Sequence, residues 1–340
     1  MGTAASNKNP TESLAYQYGG DHKPASLGIL PDSWHPYIQL SRLFPPAGLF
    51  LIYFPHLFGV LHAAIRTQAP PLTVLHASIV LLGGSFFFSN AAHTWNDLID
   101  AKLDAKVERT SRRPIPRGAV TPQAAFFFAL TQGLLAAWFL AGFPTSFTTG
   151  FLYALPNVLA TLYYPWAKRH TNMPQLVLGV CLAWGIVMGE LALGVRTYTY
   201  MHILEVDWAV VYLFLAAVLW TVIYDTLYAH QDLQADIRVG IKSLAVLFRG
   251  RTKRLLWPLL VAMTGMLLMC GWASGLGVVY YVVAVIGAVG SLCMMILMVD
   301  LRSTQNCWWW FSKGFWLVGA AISGGLLGEY CVLQRTSGYS

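Results

Sequence analysis

"NDLIDAKLDAKVERTSRRPIPRG", residues 96–118, packs one amide, four carboxylates and six basic side chains into twenty-three positions. The chain around it is oily: 56% of its 340 residues are hydrophobic, only 11% are charged, and the mean hydropathy is +0.54. So little charge does not clothe a water-facing surface. Apolar runs of roughly 20 residues, enough to cross a hydrocarbon core at about 1.5 Å per residue, recur on both sides of the stretch. They predict an all-α, multi-pass membrane bundle of about nine spans, at 37–66, 72–99, 122–141, 147–165, 175–195, 208–229, 255–274, 277–299 and 308–333. The first two are long enough to be tilted or broken. Residues 1–36 read as a polar, disordered tail, 37–333 as the membrane domain and 334–340 as a short C-terminal tail.

Charge placement orients the bundle. With nine spans, the tail and the loops after spans 2, 4, 6 and 8 share one side, and those loops carry 15 of the 22 Lys and Arg residues. By the positive-inside rule that side is cytosolic, the opening stretch included. The net charge of +7 is therefore a topology signal and does not call for a nucleic-acid partner. No obligate protein partner is indicated either. The tail has only Lys8 and Lys23 as basic residues and no arginine, unlike an Arg-rich presequence, and it lacks the apolar core of a signal peptide. The expected compartment is an endomembrane such as the endoplasmic reticulum or Golgi. Five cysteines are scattered without a C-x-x-C pair, so neither a disulfide framework nor a zinc site is indicated.

Asp97, Asp100 and Asp104 are spaced by three and then four residues, which stacks them on one helical face with Asn96 beside them. Like charges at that spacing repel, and carboxylates at the edge of the hydrocarbon are costly. One account is a solvated helix end. The other is a hard divalent cation, Mg²⁺, which prefers carboxylate and amide oxygens. A second stretch, "YDTLYAHQDLQADIRVGIKS" at 224–243, ends span 6 on the same side and carries Asp225, Asp232 and Asp236, again at helical spacing. Together the two clusters hold six of the fifteen acidic residues. Two acid-lined helix ends at one level point to paired metals, and paired metals among basic side chains point to a phosphate-rich ligand. The basic candidates are Lys106, Arg109, Arg113, Lys168 and Lys242. A phosphate at the mouth of an apolar bundle implies an amphiphile whose tail lies among the spans. A cation-coupled transporter would instead place its carboxylates near the bilayer midplane, and a scaffold gives no reason for two matched acidic motifs.

The residues resemble the UbiA-type intramembrane aromatic prenyltransferases. "NDLIDAKLD" is similar to their N-D-x-x-D-x-x-x-D motif and "YDTLYAHQDLQAD" to D-T-x-Y-A-x-Q-D-x-x-x-D, with "RTSRRPI", "YYPWAKR" and "VGIKS" extending the likeness. The resemblance implies two Mg²⁺ ions held by Asn96, Asp97, Asp100, Asp104, Asp232 and Asp236. It implies a prenyl diphosphate held by Lys106, Arg113 and Lys168, with Tyr228 facing the allylic carbon and Asp97 and Asp232 essential to catalysis. The donor would be a prenyl diphosphate and the acceptor an aromatic acid. Phe44 and Pro45 stand where quinone-pathway members carry an acidic and a basic residue, and Ala235 where they often carry aspartate. These departures favour meroterpenoid secondary metabolism, with a farnesyl donor and a phenolic acid acceptor, over para-hydroxybenzoate polyprenylation for ubiquinone. Arg42, within about one and a half helical turns of Tyr37, reads either as a snorkelling anchor or as the group that binds the acceptor's carboxylate.

Overall fold

The computed structural model describes residues 19–21, 28–197 and 206–337, and among them every regular element is helical. Most of the expected N-terminal tail lies outside these residues, as do 338–340. A 3₁₀ turn at Asp32–Trp34 leads into α1 (His35–Leu40), followed by α2 (Ala47–Thr67), α3 (Pro71–Asp104), α4 (Pro122–Trp138) and α5 (Phe147–His170). The second half comprises α6 (Pro174–Ala192), α7 (Trp208–Ala229), the short α8 (Leu233–Val239) and α9 (Leu244–Leu247), and then α10 (Thr252–Ala273), α11 (Tyr280–Met298) and α12 (Thr304–Thr336). Eight of these helices are long and apolar enough to cross a membrane. The ninth expected span is α5. It has 24 residues, but Pro156, Asn157, Pro165 and a basic last turn of Lys168, Arg169 and His170 dilute its apolar character.

Local chemistry sets where the helices begin. Pro71, Pro122 and Pro174 each sit in a first turn, where the missing N–H costs nothing. Thr121, Ser146 and Asp207 accept hydrogen bonds from the opening amides of α4, α5 and α7. Within the bundle, α2 and α6 nearly touch through their backbones. A Cβ on Gly59 would lie 2.1 Å from the Ile186 carbonyl oxygen, and one on Gly189 2.3 Å from that of His56. Without a hydrophobic force between helices in lipid, such small-residue contacts are what hold the pair. Around them Phe54, Phe58, Trp220, Ile223 and Phe315 form a continuous aromatic and aliphatic core. Phe127, Leu134, Trp138, Val261, Trp272 and Leu297 project outward, as side chains facing lipid should.

Two helix breaks differ from the expected pattern, and both shape the mouth of the bundle. The span expected at 37–66 is divided: α1 ends at Leu40, and Pro45 and Pro46 withhold the amides that would continue it. Arg42 lies in this break with a left-handed φ of 50°, not on a helix as its spacing from Tyr37 suggested. The second break follows α7. His230, Gln231 and Asp232 donate their amides to Leu227, Tyr228 and Ala229, a tightening that ends the helix, and the chain restarts at Leu233. Asp225 therefore lies on α7, while Asp232 and Asp236 belong to the following turn and α8. The three do not share one continuous helical face.

Candidate active site

The end of α3, the loop to α4, the end of α5, the start of α6 and the α7–α8 break converge on one end of the bundle. Asp97, Asp100 and Asp104 all fall on α3, which runs five residues past the expected span end, and all three are buried. They are held there by basic side chains. Arg42 Nη2 pairs with Asp97 Oδ1, and Arg113 Nη1 reaches the same oxygen at 3.0 Å and Asp104 Oδ2 at 2.8 Å. Lys168 Nζ is 3.0 Å from Asp100 Oδ2, with Arg169 Nη2 at 3.4 Å from Oδ1.

The link between the two acidic motifs is Arg109. Its Nε lies 2.8 and 3.0 Å from the two Asp232 oxygens and its Nη2 2.5 Å from Oδ2, a two-pronged pair across 123 positions of sequence. Burial by itself would raise the Asp232 carboxyl, but the Arg109 guanidinium holds it below the usual carboxylate range. Asp236 has no such partner. Burial and then the Asp232 charge push it up to about 7.

All of these groups except Asp97 and Arg169 line a cavity of about 230 Å³, together with Asn96, Asp225, Tyr228, Lys242 and His93. Tyr228 packs against Phe311 with ring centroids 3.9 Å apart, and Arg109 sits 5.8 Å above its ring. Phe311 belongs to a π-helical turn, Trp310–Gly314, inside α12, and that turn brings it onto the cavity. Phe88, Ala92 and Thr161 also line a second, mostly apolar cavity of about 460 Å³ among α3, α4 and α5. Polar head and greasy groove thus share a wall.

Of the residues expected from sequence, Asn96, Asp100, Asp104, Arg113, Lys168, Tyr228, Asp232, Asp236 and Arg42 all reach the cavity wall. Asp97 is wholly buried just behind it, under Arg42 and Arg113. Lys106 does not reach it; its side chain is exposed, and Arg109 lines the cavity in its stead. The sequence reading also passed over His93 and Phe311. His93 could have been found, since it lies three and four residues before Asn96 and Asp97, on the same helical face.

As placed, no three of the described acidic, His or Cys side chains converge closely enough to chelate a cation. Each paired carboxylate has turned toward a base instead. The donor set nonetheless suits a hard divalent ion: six oxygen-bearing side chains, with Asn96 Oδ1 and Asp97 Oδ2 buried and lacking any hydrogen-bond partner.

Residues 52–319 match the model of the UbiA prenyltransferase family. The chain is 35% identical to the mitochondrial 4-hydroxybenzoate polyprenyltransferase of Saccharomyces cerevisiae, over 83% of this chain and 73% of that one. It is also 35% identical to the DMOA farnesyltransferase nvfB of Aspergillus novofumigatus, over 78% and 81%. In three dimensions it resembles a UbiA homolog from Archaeoglobus fulgidus bound to DMAPP and Mg²⁺, with a TM-score of 0.62 over 87% of this chain and 99% of that one, at 16% identity. The chain belongs to the UbiA prenyltransferase family and is an integral membrane enzyme of that class.

Proposed function

We propose that the protein transfers a prenyl group, farnesyl in the first instance, from its diphosphate to a ring carbon of a phenolic acid, with Mg²⁺ as cofactor. The observation that carries this reading is the Arg109–Asp232 pair, which joins the two acidic motifs and their basic neighbours on one cavity that shares a wall with an apolar groove. The Archaeoglobus neighbour binds a prenyl diphosphate with Mg²⁺, and the farnesyltransferase relative supports the donor. Asn96, Asp97, Asp100, Asp104, Asp232 and Asp236 would hold the metal ions. When bound, Mg²⁺ would supply charge neutralisation to the departing diphosphate.

The chain's own residues divide the remaining work. Arg109, Arg113 and Lys168, now paired with carboxylates, would bind the phosphate oxygens of the donor, and the carboxylates they release would hold the metal ions. Tyr228 and Phe311, packed on each other at the cavity wall, would present an aromatic surface to the allylic carbon, and such surfaces stabilise developing positive charge. Arg42, aimed into the cavity from the break before α2, would hold the acceptor's carboxylate and orient its ring.

The secondary-metabolic role and an endomembrane location belong to this reading, with the basic loops cytosolic. A second reading, polyprenylation of 4-hydroxybenzoate, is favoured by the yeast relative. Membranes containing the protein, incubated with Mg²⁺, a panel of phenolic acids and prenyl diphosphates of increasing length, separate the two by mass spectrometry. Products built on farnesyl and an alkylated phenolic acid other than 4-hydroxybenzoate uphold the first; exclusive polyprenylation of 4-hydroxybenzoate upholds the second. No carbon-linked product with any acceptor rejects both.

A further inference from the structure

The mostly apolar groove among α3, α4 and α5 has a floor. It shares Phe88, Ala92 and Thr161 with the acidic cavity, and away from them it ends at the 3₁₀ turn Phe139–Gly142 that follows α4. That turn is wedged between the flanking helices. The Phe139 ring lies so close over α3 that a Cβ on Gly83 would meet it at 2.2 Å, and on the other side a Cβ on Gly150 of α5 would meet Leu140 at 3.4 Å. Leu140 and Phe143 line the groove and are themselves buried.

Helix geometry gives the depth. Eleven residues separate Ala92 from Leu81 on α3 and ten separate Thr161 from Phe151 on α5, which makes about 15–17 Å from the shared wall to the floor. Three bonds span about 3.8 Å between successive Cα atoms, so the four bonds of an isoprene unit span about 5 Å. Three units fill the groove. Beside the shared wall, Asn90 Nδ2 donates to Gln132 Oε1 at 2.9 Å, which sets α4 against α3 so that Gly133 stands at the level of Phe88 and Ala92. Gly133 lines the groove, and a Cβ there would meet nothing within 4 Å. Close packing explains Gly59, Gly83 and Gly189, but no neighbour excludes a side chain at 133. Glycine weakens a helix relative to alanine; what its missing side chain leaves here is room beside the shared wall.

We infer that this groove is the gauge of donor length: the prenyl tail passes the shared wall beside Gly133 and runs down to Leu140 and Phe143, which admit three isoprene units and stop a fourth. The inference rests on the prenyl-transfer reading above and deepens it, since it names the residues that select farnesyl. Gly133 sets the width of the entrance, and the turn after α4 sets the depth. A longer tail would have to displace Leu140, which is held by its contact with α5.

The test is a competition in membranes containing the protein, with Mg²⁺, one phenolic acid, and geranyl, farnesyl and geranylgeranyl diphosphates in equal amounts. Product ratios read by mass spectrometry come only from folded enzyme, so a variant that folds poorly still reports its preference. The parent should favour farnesyl over geranylgeranyl by about tenfold or more, the scale on which an apolar pocket rejects an oversized group. Gly133→Phe should raise the geranyl-to-farnesyl ratio by about tenfold or more, and Leu140→Ala should raise the geranylgeranyl-to-farnesyl ratio by a similar factor. Gly265→Phe is the control: that glycine of α10 is equally open but lines neither cavity, so its ratios should match the parent's. Parent ratios in either Gly133→Phe or Leu140→Ala overturn the inference, as does an equal shift in Gly265→Phe. A parent that takes geranylgeranyl as readily as farnesyl overturns it too, because the groove then has no floor. A parent that joins no prenyl chain to any acceptor removes the prenyl-transfer reading itself, whereas a working parent with unmoved variants removes this inference alone.

Discussion

The bundle buries polar groups at both ends, and the two clusters are built alike but open differently. At the acidic end, Arg42, Asp97, Arg113 and Asp104 pair beside a cavity that shares a wall with an apolar groove. At the opposite end, His62 Nδ1 lies 2.5 Å from Glu190 Oε1 and its Nε2 2.7 Å from Ser274 Oγ, joining α2, α6 and the end of α10. His62 and Glu190 have no accessible surface. On connectivity alone this second trio is the more enzyme-like, with hydroxyl, imidazole and carboxylate in series. Its imidazole and carboxylate are sealed from any ligand, however, and only the Ser274 end is half-buried. The difference teaches that a relay of side chains becomes a site only where a cavity lets a ligand replace one of its partners; sealed, the same bonds act as a clamp between helices. Buried hydrogen bonds of this kind rigidify the fold.

The comparison breaks first at Asp232. Asp232→Asn should lower turnover by about a thousandfold or more, on the scale of losing a main electrostatic group at a transferring centre, far beyond the fall in folded fraction that comes from leaving Arg109 without its carboxylate partner. Chelation with EDTA should reproduce the loss in the parent, and Mg²⁺ should restore it. Full activity in the chelated enzyme would sink the two-metal reading and leave the mouth no more than a second clamp. At the other end the pattern should invert. His62→Ala leaves Glu190 buried without its partner, at a cost of about 3 kcal/mol or more, so the detergent-solubilised protein should unfold at lower temperature. The kcat of its folded fraction should equal the parent's. A variant with normal stability and lost turnover would mean the opposite end takes part in the reaction.

How far these ends could be read in advance depended on what kind of signal each residue leaves. Apolar run length gave the long helices, and a three-then-four spacing gave the acidic face of α3, because helical periodicity is local. The break at Arg42 had a local signal in Pro45 and Pro46, but the hydropathy of 37–66 runs across it. The break after Ala229 has none: "HQD" contains neither glycine nor proline. It is accompanied instead by Arg109 gripping Asp232 from another loop. Such a long-range pair is invisible to local pattern, and so is the choice among basic residues in a dense run.

Within the acidic end, Arg42 sharpens the contrast between a held charge and an anchoring one. If its fork binds the acceptor's carboxylate, Arg42→Lys should raise acceptor KM by about tenfold, since a point charge does not reproduce a two-pronged pair. The prenyl diphosphate KM should hardly move. A lysine variant that matches the parent on carboxylated acceptors would make Arg42 a structural partner of Asp97 only.

The smallest expected effect concerns Lys106, and it is informative because its neighbour should behave oppositely. The two lie three residues apart in a loop rich in positive charge, so composition alone cannot rank them. Lys106 is exposed and turned away from the cavity, where water and salt screen its charge. Arg109 is nearly buried, fixed by two-pronged bonds to Asp232 and stacked over Tyr228. Lys106→Ala should therefore leave kcat and both KM values within about twofold of the parent, as exposed charges contribute little. Arg109→Lys keeps the charge and loses the fork, so it should raise prenyl diphosphate KM and lower kcat together. Both variants can be assayed in the same membranes with saturating acceptor and varied prenyl diphosphate. A large loss in Lys106→Ala would mean that this loop refolds over the diphosphate when substrate binds, making the exposed lysine, as its motif position first suggested, a ligand of the closed state.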